Sequence, residues 1–269
     1  MKKFLKSILV LSSFLLFIIN ITLSQTNGIF WQVKSNTTTV YILGSIHYGT
    51  NRLYPFMNEI EEAFKDSQVL VVEADITAPN LVNKIQEAIS YKGLYPFNDS
   101  IKNHVSEETF KLLEEYFGKE NLERLKFFKP WVFYFLIGPK DIDLDPNLGV
   151  DMYFTKKAKD LGKEIIEIEG IDYQIDLFVS FPEREQENLV KMSLLDLKKG
   201  DYKDRINSLI EAYIKGDDKK IWDLIFGEYL ENPDFKFFYE KFYLERNKNM
   251  IEKIREYLKD DKIYFIVVG

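Results

Sequence analysis

The stretch VYILGSIH, residues 40–47, decides how the rest of this sequence is interpreted. Its first four residues are aliphatic, aromatic or β-branched, which is typical of a strand. Gly44 allows the backbone to turn sharply where that strand ends. His47 then follows at the mouth of the sheet, where open α/β proteins bind their ligands. The stretch therefore predicts an α/β fold and a functional edge of its sheet.

Four other stretches have the pattern of strands. Residues 29–34 alternate as the first arm of a hairpin with 37–43, and residues 69–72 are entirely apolar, as in a buried parallel strand. Residues 163–168 and 263–268 complete the set. Helical spacing of apolar residues fills most of the chain between them. We expect one α/β (α+β) domain over residues 28–269, with a central mixed sheet flanked by helices and a helical insertion.

Composition excludes several classes of protein and site. The chain has 269 residues and a formal charge of -7, which disfavours non-specific binding to nucleic acid. It contains no cysteine, which excludes disulfides, thiolate metal sites and a cysteine nucleophile. Glycine patterns for phosphate or dinucleotide binding and the serine-hydrolase elbow are absent.

The amino terminus has the layout of a secretory signal peptide. A basic segment, MKKFLK, precedes an apolar run, and Thr22 and Ser24 provide small residues for cleavage before Gln25. We expect residues 1–24 to be removed and the protein to be secreted, periplasmic or held at the cell surface. The alternative is an uncleaved membrane anchor, although the apolar run is short for a membrane span.

Three charged or polar side chains are candidates for chemistry. His47 is a natural metal ligand or general base. Glu73 follows the most apolar strand, where a carboxylate must be paired, bound to a cation or open to solvent, and Asp75 is placed to support it. Arg246, on a late helix, is suited to hold an anionic substrate group or a developing oxyanion.

Other polar residues have simpler interpretations. The acidic run of Asp141, Asp143, Asp145 and Asp151 fails the spacing of a calcium loop. We interpret it as a solvated loop with a turn at Asp145-Pro146. The second histidine, His104, is expected at the surface.

Together these motifs resemble the TraB/GumN family, which includes relatives of the Tiki metalloproteases and is similar to the erythromycin-esterase-like superfamily. The resemblance rests on VYILGSIHYGTNRLYP, VLVVEADI, KPW, the stretch GVDMYFTKKAKDLGKEIIEIEGIDYQIDLF, and ERN, in that order. It covers nearly all of residues 28–269.

The resemblance implies a set of site residues. The family pattern has two Gly-x-x-His motifs, a glutamate and a late arginine. These fall on Gly44 and His47, on Glu73 and on Arg246, and the second motif begins at Gly269. The second histidine and a closing helix and strand would follow, so we expect this sequence to be a C-terminally incomplete fragment, with a natural truncation as the alternative.

The family also implies a function. It leads us to expect a metal-dependent hydrolase of the peptidase type, using manganese, cobalt or zinc held by His47, Glu73 and the second histidine expected after Gly269. The substrate would be a peptide or a small ester or amide. A metal-free version would use His47 or Glu73 as a general base on water. The alternative is a non-catalytic extracytoplasmic protein that binds peptides or signals, of the pheromone-shutdown type.

Overall fold

A computed structural model describes residues 26–139 and 143–269 of the chain. The predicted signal peptide, residues 1–24, and Asp141 lie outside these described residues. Within the described ranges, no helix is both long and apolar enough to cross a membrane.

The described residues form a five-stranded mixed sheet. Its strands are β1 (Phe30–Lys34), β2 (Thr39–Gly44), β3 (Val69–Val72), β4 (Glu164–Glu167) and β5 (Tyr264–Val268). The spatial order is β1-β2-β5-β3-β4, and only β1 runs antiparallel to its neighbour among these strands. The prediction of an α/β fold around a mixed sheet is confirmed.

The last strand in sequence occupies the centre of the sheet. In β5, Ile266 lies opposite Ile42 of β2 and Val71 of β3. Because β2, β5, β3 and β4 are parallel, their carboxyl ends share one edge of the sheet. We call it the C-terminal edge.

Helices account for most of the remaining chain. Their bounds are α1 Asn58–Asp66, α2 Leu81–Lys92, α3 Glu107–Phe117, α4 Lys119–Leu125, α5 Pro130–Leu136, α6 Val150–Asp160, α7 Ile171–Ser180, α8 Glu183–Lys198, α9 Tyr202–Lys215, α10 Asp218–Phe226, α11 Pro233–Phe238 and α12 Arg246–Tyr257. A π-helical segment, Tyr239–Glu245, joins α11 to α12. Sequence spacing predicted one unbroken helix over residues 235–258 and gave no sign of this change in hydrogen bonding.

Each face of the sheet has its own apolar core. On one face Phe265 packs with Phe64 of α1 and Phe154 of α6. On the other face Ile266 packs with Met250 of α12. The helices inserted before and after β4 also pack on one another, with Trp131 and Phe178 in one of their shared cores. The sheet is therefore supported from both sides, and its C-terminal edge is fixed in place.

Removing the Phe265 ring tests the importance of the central strand. Phe265 is fully buried, so Phe265→Ala should lower the free energy of unfolding by about 3–5 kcal/mol through lost burial and a residual cavity. Phe97→Ala is the matched control because Phe97 is 93% exposed, and its effect should stay within about 0.5 kcal/mol. Urea unfolding followed by circular dichroism measures both values, and equal effects would contradict the packing described.

Candidate functional site at the C-terminal edge

Four strand ends bring together the polar residues of the candidate site. Glu73 directly follows β3, and Gly269 directly follows β5. Glu169 lies two residues beyond β4, and His47 lies three beyond β2. The structure therefore places His47, Glu73 and Gly269 at one edge, and adds a second glutamate to them.

Arg246 joins the two glutamates. Its Nη2 donates to Glu73 Oε2 at 2.8 Å and to Glu169 Oε2 at 2.7 Å, and its Nε donates to Glu169 Oε1 at 2.8 Å. All three residues are nearly excluded from solvent, with side-chain exposures of 6% for Arg246, 10% for Glu73 and 4% for Glu169. Charges buried to this degree are stable only when paired and hydrogen-bonded, and this arrangement meets both conditions.

Glu73 accepts two further hydrogen bonds. Gln174 Nε2, on α7, donates to Glu73 Oε2 at 2.9 Å and to Glu169 Oε2 at 3.1 Å. The backbone N–H of Gly269 donates to Glu73 Oε1 at 2.8 Å. Glu73 thus connects β3 to α7, α12 and the residue after β5.

The π-helical segment before α12 helps to position Arg246. Phe242 in this segment lies under the guanidinium, whose central carbon is 4.4 Å from the ring centroid. Single π-helical turns occur frequently at functional sites.

The electrostatics of Arg246 follow from these contacts. Burial acts to lower the pKa of the Arg246 guanidinium, but the hydrogen bonds and charges of Glu169 and Glu73 outweigh it and raise the pKa. Sequence reasoning proposed that this arginine clamps an anionic substrate. In the structure, the anions that it holds are two carboxylates of the protein itself.

The His47 loop is fixed by backbone contacts. Ser45 N donates to Val268 O at 2.7 Å, and Val150 N donates to Ile46 O at 2.9 Å. A β-carbon on Gly149 would lie 2.3 Å from His47 O, so only glycine allows the start of α6 to approach this closely. The loop is therefore held between β5 and α6.

This approach brings Asp151 to His47. Asp151 Oδ2 lies 3.2 Å from His47 Nδ1, and Ser45 Oγ donates to Asp151 Oδ1 at 3.2 Å. The hydrogen bond from Asp151 raises the pKa of His47; partial loss of hydration acts against it, the charges of Asp151 and Glu73 add to it, and Arg246 opposes it. The side chain of His47 is nevertheless 56% exposed. Because Nδ1 faces Asp151, Nε2 is the nitrogen left for chemistry.

The structure corrects the sequence interpretation of the acidic run. Asp151 is not part of a solvated loop, since it is 5% exposed in the first turn of α6. Asp145 does form the predicted turn, where its side chain accepts from Asn147 N at 2.7 Å. The two aspartates differ in burial because Asp151 lies two residues after Gly149, where the chain packs against His47.

Gly269 lies close to both candidate groups. The position that a β-carbon on Gly269 would take lies 3.6 Å from Glu73 Oε1 and 3.8 Å from His47 Nε2. Both atoms therefore border the same side of Gly269.

Asp75 has a different role from the predicted support of Glu73. Its Oδ1 accepts from the backbone N–H of Thr77 at 2.9 Å, and its Oδ2 lies 3.4 Å from Lys159 Nζ. Burial acts to raise the pKa of Asp75, but the Thr77 hydrogen bonds and Lys159 outweigh it and lower the pKa. Asp75 therefore stabilises the turn after β3.

His104 is not fully at the surface, contrary to the sequence expectation. Its side chain is 22% exposed, it stacks on Tyr95, and its two nitrogens face Asp99 at 2.8 Å and Glu183 at 3.1 Å. It lies between β3 and β4 in sequence, among the inserted helices, and serves as a comparison for His47.

The residues described do not by themselves fit a divalent metal. His47 offers Nε2 alone, and both oxygens of Glu73 already accept hydrogen bonds. No group of three or more histidine, aspartate or glutamate side chains within the described ranges could hold a metal ion. The expected use of manganese, cobalt or zinc by His47 and Glu73 stays a prediction.

Sequence reasoning missed Asp151, Glu169 and Gln174. Glu169 could have been found from its place at the end of β4, by the argument used for Glu73. Asp151 and Gln174 follow Gly149 and Gly170, which begin α6 and α7, but sequence alone does not show that these helices start at the C-terminal edge.

Arg246→Gln should be strongly destabilising because it leaves two buried carboxylates without their cation. We expect a loss of about 3–5 kcal/mol in the free energy of unfolding. Arg255→Gln removes an arginine from the exposed side of the same helix, where it pairs with Glu252, and should cost less than about 1 kcal/mol. Chemical unfolding of both variants provides the comparison; a small effect at Arg246 would contradict the ion-pair network.

Asp151→Asn should lower the pKa of His47 because it removes the carboxylate that stabilises the imidazolium. The chain has two histidines, so NMR titration can follow both, and His104 should be unaffected. Since the folded-state pKa of His47 is raised, this ion pair stabilises the fold below the unfolded pKa of about 6.5, and the contribution is lost as pH rises through the folded value. An unchanged His47 titration would show that Asp151 does not control it.

Comparison with known proteins gave one family match and a few distant relatives. Residues 29–269 match the sequence model of the TraB/PrgY/gumN family. An uncharacterized protein of Treponema pallidum (strain Nichols) is 24% identical over 204 residues, covering 72% of this chain and 60% of the relative. The uncharacterized protein YbaP of Escherichia coli (strain K12) is 22% identical over 149 residues, covering 54% of this chain and 53% of YbaP.

The matched part of the chain thus corresponds to between half and three fifths of the length of these relatives. No solved structure matches the chain. Because the family match extends over nearly all of the described residues, the chain belongs to the TraB/PrgY/gumN family.

Proposed function

We propose that this protein is a hydrolase of amide or ester bonds, with peptides as its substrates, and that His47 activates the attacking water. The observation that carries the proposal is the pairing of His47 Nδ1 with buried Asp151, while Nε2 lies beside Gly269 on a side chain that is 56% exposed. An aspartate that orients a histidine in this way supports general-base catalysis in hydrolases on unrelated folds.

The chemistry follows from the two nitrogens of the imidazole. Neutral His47 accepts a proton from water at Nε2 while the water oxygen bonds to the substrate carbonyl carbon. Asp151 stabilises the imidazolium that results. His47 then returns the proton to the leaving nitrogen or oxygen as its bond to the carbonyl carbon breaks.

Glu73 and Arg246 have a positioning role in this proposal. Glu73 holds the backbone N–H of Gly269, and Arg246 holds Glu73. The arginine also acts to lower the pKa of His47, which favours the neutral form that the base requires.

Two finer parts of the proposal rest on other grounds. Family resemblance supports dependence on a divalent metal, but the residues described provide no complete ligand set, so no step is assigned to one. The basic and apolar segments of residues 1–24 support an extracytoplasmic location.

The test measures turnover by the full-length protein. Quenched-fluorescent peptides and nitrophenyl esters are assayed after chelator dialysis, with and without manganese, cobalt or zinc. We expect His47→Gln and Asp151→Asn to lower the rate by about 10²–10⁴-fold. His104→Gln is the matched control because it removes the other carboxylate-bound histidine, and it should retain activity.

The pH profile distinguishes the role of His47 from a structural one. The rate should rise as pH increases through the pKa of His47, because only the neutral imidazole accepts a proton. In Asp151→Asn that inflection should move to lower pH. Full activity in His47→Gln, or peptide binding without turnover by the wild-type protein in every metal condition, would overturn the proposal.

A further inference from the structure

Exposed apolar side chains lie at the end of α2 and in the segment that follows it. Tyr91 is 85% exposed, Leu94 is 41% exposed and Phe97 is 93% exposed. Phe97 stacks on Phe127, with ring centroids 5.9 Å apart. We call Leu94, Phe97 and Phe127, which border one shallow groove, the aromatic patch.

The backbone under the patch is ordered by its neighbours. Tyr95 N donates to Phe127 O at 2.7 Å, and Leu94 forms an isolated bridge with Phe128. Tyr95 is buried, so the segment is anchored from inside. The fold therefore holds the outward side chains in place without burying them.

Cations surround the patch. Lys126 Nζ lies 5.3 Å from the centroid of Phe127, and Lys129 Nζ lies 5.9 Å from that of Tyr95. Arg124 and Phe97 border the same shallow groove. Within residues 91–103 and 119–129 the charged side chains are Lys92, Lys102, Lys119, Arg124, Lys126 and Lys129, against Asp99, Glu120 and Glu123. These segments are thus net positive in a chain whose total charge is -7, and two of their lysines are ion-paired, Lys92 with Asp176 of α7 and Lys126 with Glu123.

We propose that the aromatic patch docks this protein on an anionic lipid membrane. Aromatic side chains are favoured at the boundary between headgroups and acyl chains, where their rings reach apolar material. Lysine and arginine next to them are attracted by the negative surface potential of the membrane. The basic residues therefore favour a bilayer with anionic lipids, and the aromatic rings insert between its headgroups.

The exposure of Phe97 favours a membrane over a peptide. Aromatic residues that bind peptides line concave sites and are partly covered by the walls. Phe97 instead projects from the surface with almost none of its ring covered, as insertion into a soft apolar phase requires. The proposal is independent of the hydrolase proposal because it uses none of the residues at the C-terminal edge.

Vesicle co-sedimentation tests the proposal. The full-length protein should sediment with vesicles of phosphatidylglycerol and phosphatidylcholine, and much less with phosphatidylcholine alone. Phe97→Ser and the double variant Arg124→Gln/Lys126→Gln should each weaken binding by about tenfold or more. The double variant should also reduce the sensitivity of binding to salt.

Matched controls replace an exposed aromatic and an exposed lysine elsewhere. Trp31→Ser, on β1, and Lys219→Gln, on α10, should bind vesicles as the wild-type protein does. A Phe97→Trp variant should show a blue shift of its added fluorescence with anionic vesicles. Absence of sedimentation, equal loss in the controls, or binding of peptides at the patch without binding of vesicles would overturn the proposal.

Discussion

The buried cation of Arg246 is the constraint on which the candidate site depends. Two glutamates at adjacent strand ends, Glu73 and Glu169, would repel each other in a region almost without solvent. The guanidinium offers several donors in one plane, so it can bond both carboxylates at once. A lysine could supply the charge but not this geometry. The side chain of Arg246 therefore links α12 to the ends of β3 and β4.

Gly269 connects the ion pairs of Arg246 to the loop that carries His47. Glu73 uses one oxygen for Arg246 and Gln174, and the other for the backbone N–H of Gly269. Since β5 lies between β2 and β3, fixing its end also fixes the neighbouring loop, through the hydrogen bond from Ser45 to Val268. His47 thus depends on Arg246 without touching it directly.

Sequence patterns were sufficient for the sheet and for part of the site. The wholly apolar run 69–72 and the strand-ending Gly44 identified β3 and the loop of His47, because burial and turning impose strong local requirements. The partners of these residues were harder to predict. Asp151 looked like a member of a solvated acidic run, and its burial arises from the contact between Gly149 and His47, which is distant in sequence. The partners of Arg246, Glu73 and Glu169, were likewise hard to predict, because they come together only through the spatial order of the strands.

The division of roles between Glu73 and His47 follows from their hydrogen bonds. If Glu73 accepted a proton from water, it would lose the negative charge that pairs with buried Arg246, and that ion pair would be weakened. His47 Nε2 has no hydrogen-bond partner among the described residues, and Asp151 faces the other ring nitrogen. The imidazole can gain and release a proton while the ion-pair network stays intact. Glu73 is therefore better suited to hold the site in shape, and His47 is better suited to act within it.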